Sequence, residues 1–128
     1  MVTRRTAKSK GSSFEYDCQH SLTAVYPQIY RTAERGFQRQ FDLCDDESEN
    51  VFECKRLAGL SWNQALKFYE KLESKTPTAK SRFLLFKSNR QPCLVFYFDK
   101  FHNDYTIRTF ENVFGVPFEK HPSTRAKK

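Results

Sequence analysis

The sequence lacks any apolar run long enough to span a membrane, and it shows no segment of the signal-peptide type. Its four cysteines lie far apart without a C-x-x-C pair, and its three histidines form no cluster with them. These absences argue against a membrane protein, a disulfide-stabilised secreted domain and a structural zinc site. We therefore expect a protein of a reducing, intracellular compartment.

Acidic residues are outnumbered by basic ones, 15 against 22, which gives a net charge of +7. This excess indicates a polyanionic partner. A chain of 128 residues has room for one core. We expect a basic flexible arm over residues 1–11, one domain over 12–118 and a basic flexible tail over 119–128. The two ends carry Arg4, Arg5, Lys8, Lys10, Lys120, Arg125, Lys127 and Lys128.

The hydrophobic pattern predicts an α/β protein with a central mixed five-stranded sheet flanked by helices, in the order αβββαββ. Capping boxes at Ser12–Glu15 and Ser61–Gln64 mark the starts of two helices, and Tyr26-Pro27 and Thr76-Pro77 mark their ends. A short C-terminal helix is expected over residues 106–114, stopped by Gly115. The predicted strands cover residues 28–32, 40–44, 50–56, 82–87 and 93–98.

Three charged residues lie within two of these strands. Asp42 stands between Phe41 and Leu43, and Glu53-x-Lys55 follows after an acidic turn at residues 45–49. Strand side chains alternate, so Glu53 and Lys55 share one face, and an antiparallel hairpin brings Asp42 towards them. Two neighbouring carboxylates favour a bound Mg²⁺, with Mn²⁺ as the alternative ion. The spacing therefore predicts a divalent-metal site with a lysine beside it, suited to phosphodiester hydrolysis.

Glu15 is a third acidic candidate, on the first predicted helix. It either reaches the metal, directly or through water, or serves only to complete the capping box with Ser12.

Four segments resemble the PD-(D/E)xK nuclease superfamily, and within it the archaeal and phage-type Holliday junction resolvases. They are Gly11-Ser12-Ser13-Phe14-Glu15, Tyr30-Arg31-Thr32, Phe41-Asp42-Leu43 and Phe52-Glu53-Cys54-Lys55-Arg56. The resemblance implies a restriction-endonuclease-like core, with Glu15, Asp42 and Glu53 as metal ligands and Lys55 as the catalytic lysine. Phe41 stands where these nucleases usually have proline before the aspartate.

The same resemblance implies a homodimer that nicks two strands of a four-way DNA junction symmetrically, with the basic arm gripping DNA. It also implies the cytoplasm or nucleoid of a prokaryotic host, with a viral or phage origin left open. Gln64 is expected as a polar residue beside the site. The residues expected to contact DNA are Arg4, Arg5, Lys8, Lys10, Arg31, Arg35, Arg39 and Arg56.

Two other functions agree with the sequence. One is a basic nucleic-acid-binding protein without catalysis, in which Glu53 and Lys55 are a surface ion pair. The other is a nuclease of the same type that acts on flaps, ends or linear duplex, because a fold alone does not select a substrate.

Overall fold

A computed structural model describes residues 3–35 and 41–122, with side chains from residue 13 onward. The helices in these ranges are α1 (Thr3–Leu22), α2 (Trp62–Lys75) and α3 (Phe110–Phe114), and a 3-10 turn covers Thr32–Arg35. The strands are β1 (Tyr30–Arg31), β2 (Leu43–Asp45), β3 (Asn50–Arg56), β4 (Ser81–Lys87), β5 (Leu94–Asp99) and β6 (Asp104–Thr109).

These six strands form one mixed sheet in the order β1-β2-β3-β4-β5-β6. The β3–β4 pair is parallel and the other neighbouring pairs are antiparallel. A parallel pair needs a crossover connection, and α2 supplies it. The prediction of an α/β protein with a mixed sheet flanked by helices is thus confirmed. None of the helices in residues 3–35 and 41–122 combines the length and hydrophobicity that a bilayer crossing demands.

Each face of the sheet has its own core. On one face, α1 and α3 cover a cluster that includes Phe52 of β3 and Leu85 of β4. On the other face, α2 covers a second cluster that includes Leu84, Phe86 and Phe96. Neighbouring residues of β4 thus belong to different cores, as the alternation of a strand buried on both faces requires.

The cores also bring thiols together. Cys18 of α1 and Cys93 are buried in the first cluster, and Cys54 of β3 packs against it. Burial raises the pKa of the Cys18 thiol well above its ordinary value, and the neighbouring Cys54 and Cys93 raise it further. All four cysteines are free thiols in this structure.

The sheet has a sixth strand where the sequence pattern predicted a helix over residues 106–114. This prediction was wrong for the first part of the segment, because Asp104–Thr109 pairs along its whole length with β5. Only Phe110–Phe114 is helical. Gly115 adopts a left-handed conformation with φ 75°, so its predicted role as the helix stop is confirmed.

The start of α1 also differs from the prediction. The helix begins at Thr3 instead of Ser12, so Ser12 lies inside it and the predicted capping box at Ser12–Glu15 is wrong. Backbone N–H groups inside a helix already have acceptors one turn earlier and need no cap. The predicted basic arm is therefore helical from Thr3, while the side chains of Arg4, Arg5, Lys8 and Lys10 lie outside the described residues.

Two local predictions are confirmed. β2 and β3 form an antiparallel hairpin, and its acidic turn is closed by a hydrogen bond from Glu49 N to Asp45 O at 2.9 Å. The second capping box is present as well. Gln64 N donates to Ser61 Oγ at 3.2 Å, and Ser61 N donates to Gln64 Oε1 at 3.0 Å.

We expect Ser61→Ala to lower the free energy of unfolding by about 1 kcal/mol, because it leaves an N-terminal N–H of α2 without its acceptor. Chemical denaturation measures the change. Asn63→Ala, at an exposed position in the same turn, is the control. An Asn63→Ala variant as destabilised as Ser61→Ala would argue against the cap.

Candidate functional site

The β2–β3 hairpin brings Asp42 and Glu53 to the same place. Leu43 pairs with Phe52, and Asp42, the residue before β2, donates its backbone N–H to Phe52 O at 3.1 Å. Asp42 therefore lies beside the segment of β3 that carries Glu53. The negative charge of Asp42 raises the pKa of Glu53, which shows that the two carboxylates interact.

The Asp42 carboxylate is also anchored to the neighbouring strand. The backbone N–H of Cys54 donates to Asp42 Oδ2 at 2.8 Å. The Asp42 carbonyl oxygen accepts from Thr32 N at 3.0 Å, so Asp42 links the 3-10 turn after β1 to β3. A carboxylate that accepts a backbone hydrogen bond tolerates burial much better than one without a partner. Asp42 is only 9% exposed, and its orientation is fixed.

Glu53 and Lys55 lie on the α2 face of the sheet. They pair with Leu84 and Phe86, which belong to the core under α2. Lys55 Nζ lies 3.4 Å from Glu53 Oε2 and 4.7 Å from the centre of the Phe68 ring. The ion pair and the aromatic ring therefore hold the lysine beside the carboxylate pair.

The environment of Glu53 favours its protonated form. Its side chain is 19% exposed, and burial, followed by the charge of Asp42, raises its pKa from 4.5 to about 7. The positive charges of Lys55 and Lys75 oppose this effect without cancelling it. A bound cation would relieve the part of this rise that comes from the charge of Asp42.

Glu15 has a different partner. Arg31 Nη2 and Nε donate to its Oε1 at 3.1 and 3.3 Å, and both side chains are about nine-tenths buried. The Arg31 guanidinium lies 4.3 Å from the centre of the Tyr16 ring. The charges of Asp42, Glu15 and Glu53 all help to raise the pKa of Cys54, after its burial, to about 12. The three acids are therefore within electrostatic reach of Cys54, but Glu15 is paired with Arg31 of β1.

The structure thus places Lys55 3.4 Å from Glu53 and Asp42 within electrostatic reach of Glu53, while their roles in a metal site stay a prediction. Among residues 3–35 and 41–122 it forms no group of three His, Cys, Asp or Glu side chains placed to hold a metal ion. The two-carboxylate set of Asp42 and Glu53 still fits Mg²⁺, which takes one or two carboxylates and completes its shell with water or phosphate.

The predicted DNA contacts fall into three groups. Arg39 lies outside the described residues, as do the side chains of the N-terminal basic residues. Arg31 is buried against Glu15, and Arg35 is bound to the hairpin, 3.6 Å from Asp46 Oδ2 and 3.5 Å from the Tyr30 ring centre. Arg56, at the end of β3, donates to Asn89 Oδ1 at 2.8 Å.

Arg56 belongs to a basic cluster, and sequence reasoning did not bring its members together. Its other members are Lys87, the last residue of β4, and Lys120. Burial lowers the pKa of Lys87, and the positive charges of Arg56 and Lys120 lower it further. Arg56 and Lys87 are paired in the parallel register, so both lie at the carboxyl ends of adjacent strands. In the sequence, the basic residues at the ends of two predicted strands were the available signal. Recognising a cluster from them requires the knowledge that β3 and β4 are neighbours in the sheet.

Lysines of α2 were missed as well. Lys71 and Lys75 line a pocket of about 90 Å³ together with Glu53, Lys55, Phe68 and Leu72. Lys71 is exposed, as its place on the polar face of α2 predicts, and it also lines this pocket. The amide of Gln64 accepts the capping hydrogen bond from Ser61, and its expected role beside the site stays a prediction.

No protein-family model matches the chain, and no curated protein and no solved structure matches it. The geometry of Asp42, Glu53 and Lys55 is therefore the basis for assigning a function.

The raised pKa of Glu53 predicts that this residue lowers the free energy of unfolding at high pH. A carboxyl group whose pKa is raised by folding holds its proton more tightly when folded, so the protein loses stability as pH rises from about 4.5 through about 7. We expect Glu53→Gln to be more stable than the wild type at pH 8 by roughly 1–3 kcal/mol, and nearly equal to it below pH 4.5. Denaturation at both pH values measures this difference. Glu70→Gln, which removes an exposed carboxylate of α2, is the control and should show no such change with pH.

Proposed function

We propose that the protein is a metal-dependent DNA endonuclease of the PD-(D/E)xK type with a restriction-endonuclease-like core. The observation that carries this proposal is the joint position of Asp42, Glu53 and Lys55 in the β2–β3 hairpin. Two interacting carboxylates and a lysine 3.4 Å from the second are the groups that metal-dependent phosphodiester hydrolysis requires.

Asp42 and Glu53 would hold the metal, which we propose is Mg²⁺, with Mn²⁺ as an accepted substitute. The chemistry that either ion supplies in such a site is polarisation of a phosphate oxygen and a lowered pKa of coordinated water. That Glu15 is a further ligand stays a prediction.

Each protein group has a role that follows from its contacts. Asp42 is fixed by the N–H of Cys54 and provides a carboxylate of constant orientation. Glu53 repels Asp42 and so adds to the attraction for a cation. Lys55 is held against Glu53 and Phe68, and its ammonium group can donate to a phosphate oxygen or to the attacking water. A cation fixed in advance near developing negative charge stabilises the transition state without reorganisation.

Basic groups at the same end of β3 support DNA as the substrate. Arg56 follows Lys55 directly and lies with Lys87 and Lys120 in the basic cluster. The net charge of +7 favours the approach of any polyanion. Contacts of this kind bind the phosphate backbone and carry no sequence information.

For the preferred substrate we propose the four-way DNA junction, nicked symmetrically by a homodimer. The resemblance of the four sequence segments to junction resolvases supports this choice. A two-fold symmetric dimer presents two identical sites and matches the symmetry of such a junction.

The nuclease proposal predicts the loss of cleavage without the loss of binding. Glu53→Gln and Lys55→Ala should each lower the rate of Mg²⁺-dependent cleavage of a labelled junction by at least about a hundredfold. Binding measured without Mg²⁺ should change little. Glu70→Gln and Lys67→Ala remove like charges from exposed positions of α2 and should cleave normally.

Cleavage that persists unchanged in either site variant would contradict the assignment of the site. A wild-type chain that binds with steep salt dependence but gives no Mg²⁺-dependent product would instead be the non-catalytic nucleic-acid-binding protein.

Substrate choice is tested separately. The wild-type protein should nick the four-way junction faster than a linear duplex or a flap of matching sequence. Mapping the product ends should show cuts at symmetry-related positions on two strands. Equal rates on linear duplex would reject junction selectivity and leave the nuclease assignment intact.

A further inference from the structure

One stripe of α2 carries two lysines towards the site. Phe68, Lys71, Leu72 and Lys75 are spaced i, i+3, i+4 and i+7, which places them on one side of the helix. Together with Glu53 and Lys55 they line the pocket of about 90 Å³ between α2 and β3. Leu72 is buried and Phe68 is half-buried, so apolar side chains form the walls and charged groups form the opening.

The charges of this pocket do not balance. Lys55, Lys71 and Lys75 contribute three positive charges, and Glu53 contributes the one carboxylate among the lining residues. Lys55 forms an ion pair with Glu53, whereas Lys71 and Lys75 form no salt bridge within the described residues. The charge of Lys75 nevertheless reaches Glu53 and lowers its pKa. Like charges gathered around one pocket repel unless an anion enters it.

The pocket size limits the kind of anion. Its volume of about 90 Å³ exceeds the ~10–15 Å³ that one water requires, and it suits a phosphate group with water better than a stacked base. Lysine provides a compact charge with rotatable donors on a flexible stem, which suits a phosphodiester whose exact position varies.

We propose that Lys71 and Lys75 form a subsite for a DNA backbone phosphate next to the phosphate that is cut. The proposal rests on the proposed nuclease function and names a further pair of substrate-binding residues for it. The subsite positions DNA along β3 so that the scissile phosphate meets Glu53 and Lys55. It contributes equally for every DNA sequence, because it contacts only the backbone.

The decisive experiment measures DNA binding apart from cleavage. The Lys71→Ala/Lys75→Ala double variant is titrated against a fluorescent four-way junction and a matching duplex at several salt concentrations, without Mg²⁺. We expect affinity to fall at least roughly tenfold, and the slope of log affinity against log salt to become shallower by about one for each lysine that contacts a phosphate. Duplexes of different sequence should be affected equally.

Lys67→Ala is the control, since Lys67 is an exposed lysine of α2 outside the pocket lining. Lys67→Ala matches the loss of one charge. Lys67→Ala combined with Lys100→Ala, an exposed lysine in the turn between β5 and β6, matches the loss of two. The Lys71→Gln/Lys75→Gln variant keeps the side-chain length and should reproduce the loss, whereas arginine at both positions should largely restore binding. If the double variant binds like the charge-matched control, the subsite is wrong.

Measuring cleavage by the same proteins distinguishes rejection of the phosphate subsite from rejection of the proposed nuclease function. A wild-type protein that cuts DNA, with lysine variants indistinguishable from the controls in binding, rejects the subsite alone. A wild-type protein that never cuts, with binding that depends on Lys71 and Lys75, rejects the nuclease and retains a phosphate-binding pair in a DNA-binding protein.

Discussion

The hydrogen bond from Cys54 N–H to the Asp42 carboxylate determines the geometry of the site. Asp42 is a buried acid within electrostatic reach of Glu53, and burying an acid is costly unless it accepts hydrogen bonds. The backbone of β3 supplies one such bond, and the pairing of the same strand with β4 sets the register in which Glu53 and Lys55 face α2. A change of register by one residue would place both side chains on the α1 face. The strand whose backbone stabilises the Asp42 carboxylate is therefore also the strand that directs Glu53 and Lys55 towards α2.

The parts that were predictable from sequence are those with local causes. The hairpin follows from two apolar segments around an acidic turn, the shared face of Glu53 and Lys55 from strand alternation, and the start of α2 from Ser61 and Gln64. The missed parts depend on partners distant in the chain. Thr106 lies in a strand because residues 104–109 pair with β5, and this pairing outweighs the helical pattern of the sequence. Glu15 pairs with Arg31, a contact across two elements that no spacing reveals.

The parallel β3–β4 pair gathers charge at one end of the sheet. Lys55 and Arg56 are consecutive on β3 and therefore point to opposite faces. One lies in the pocket under α2, and the other lies in the basic cluster with Lys87. A polyanion that crosses the end of β3 would meet positive groups on both sides. Charge on both faces agrees with a nucleic acid that wraps over a strand end better than with a small anion held in one pocket.

The thiols between α1 and β3 have a different consequence. Alkylating reagents attack the thiolate, and Cys18 is fully buried with a strongly raised pKa, so it is inert while α1 stays seated on the sheet. Its modification rate would then report how often α1 lifts from β3. Because Glu15 lies one helical turn from Cys18, that rate also reports how often the Glu15–Arg31 ion pair opens. Alkylation of Cys18 thus measures local opening of the structure beside the candidate site.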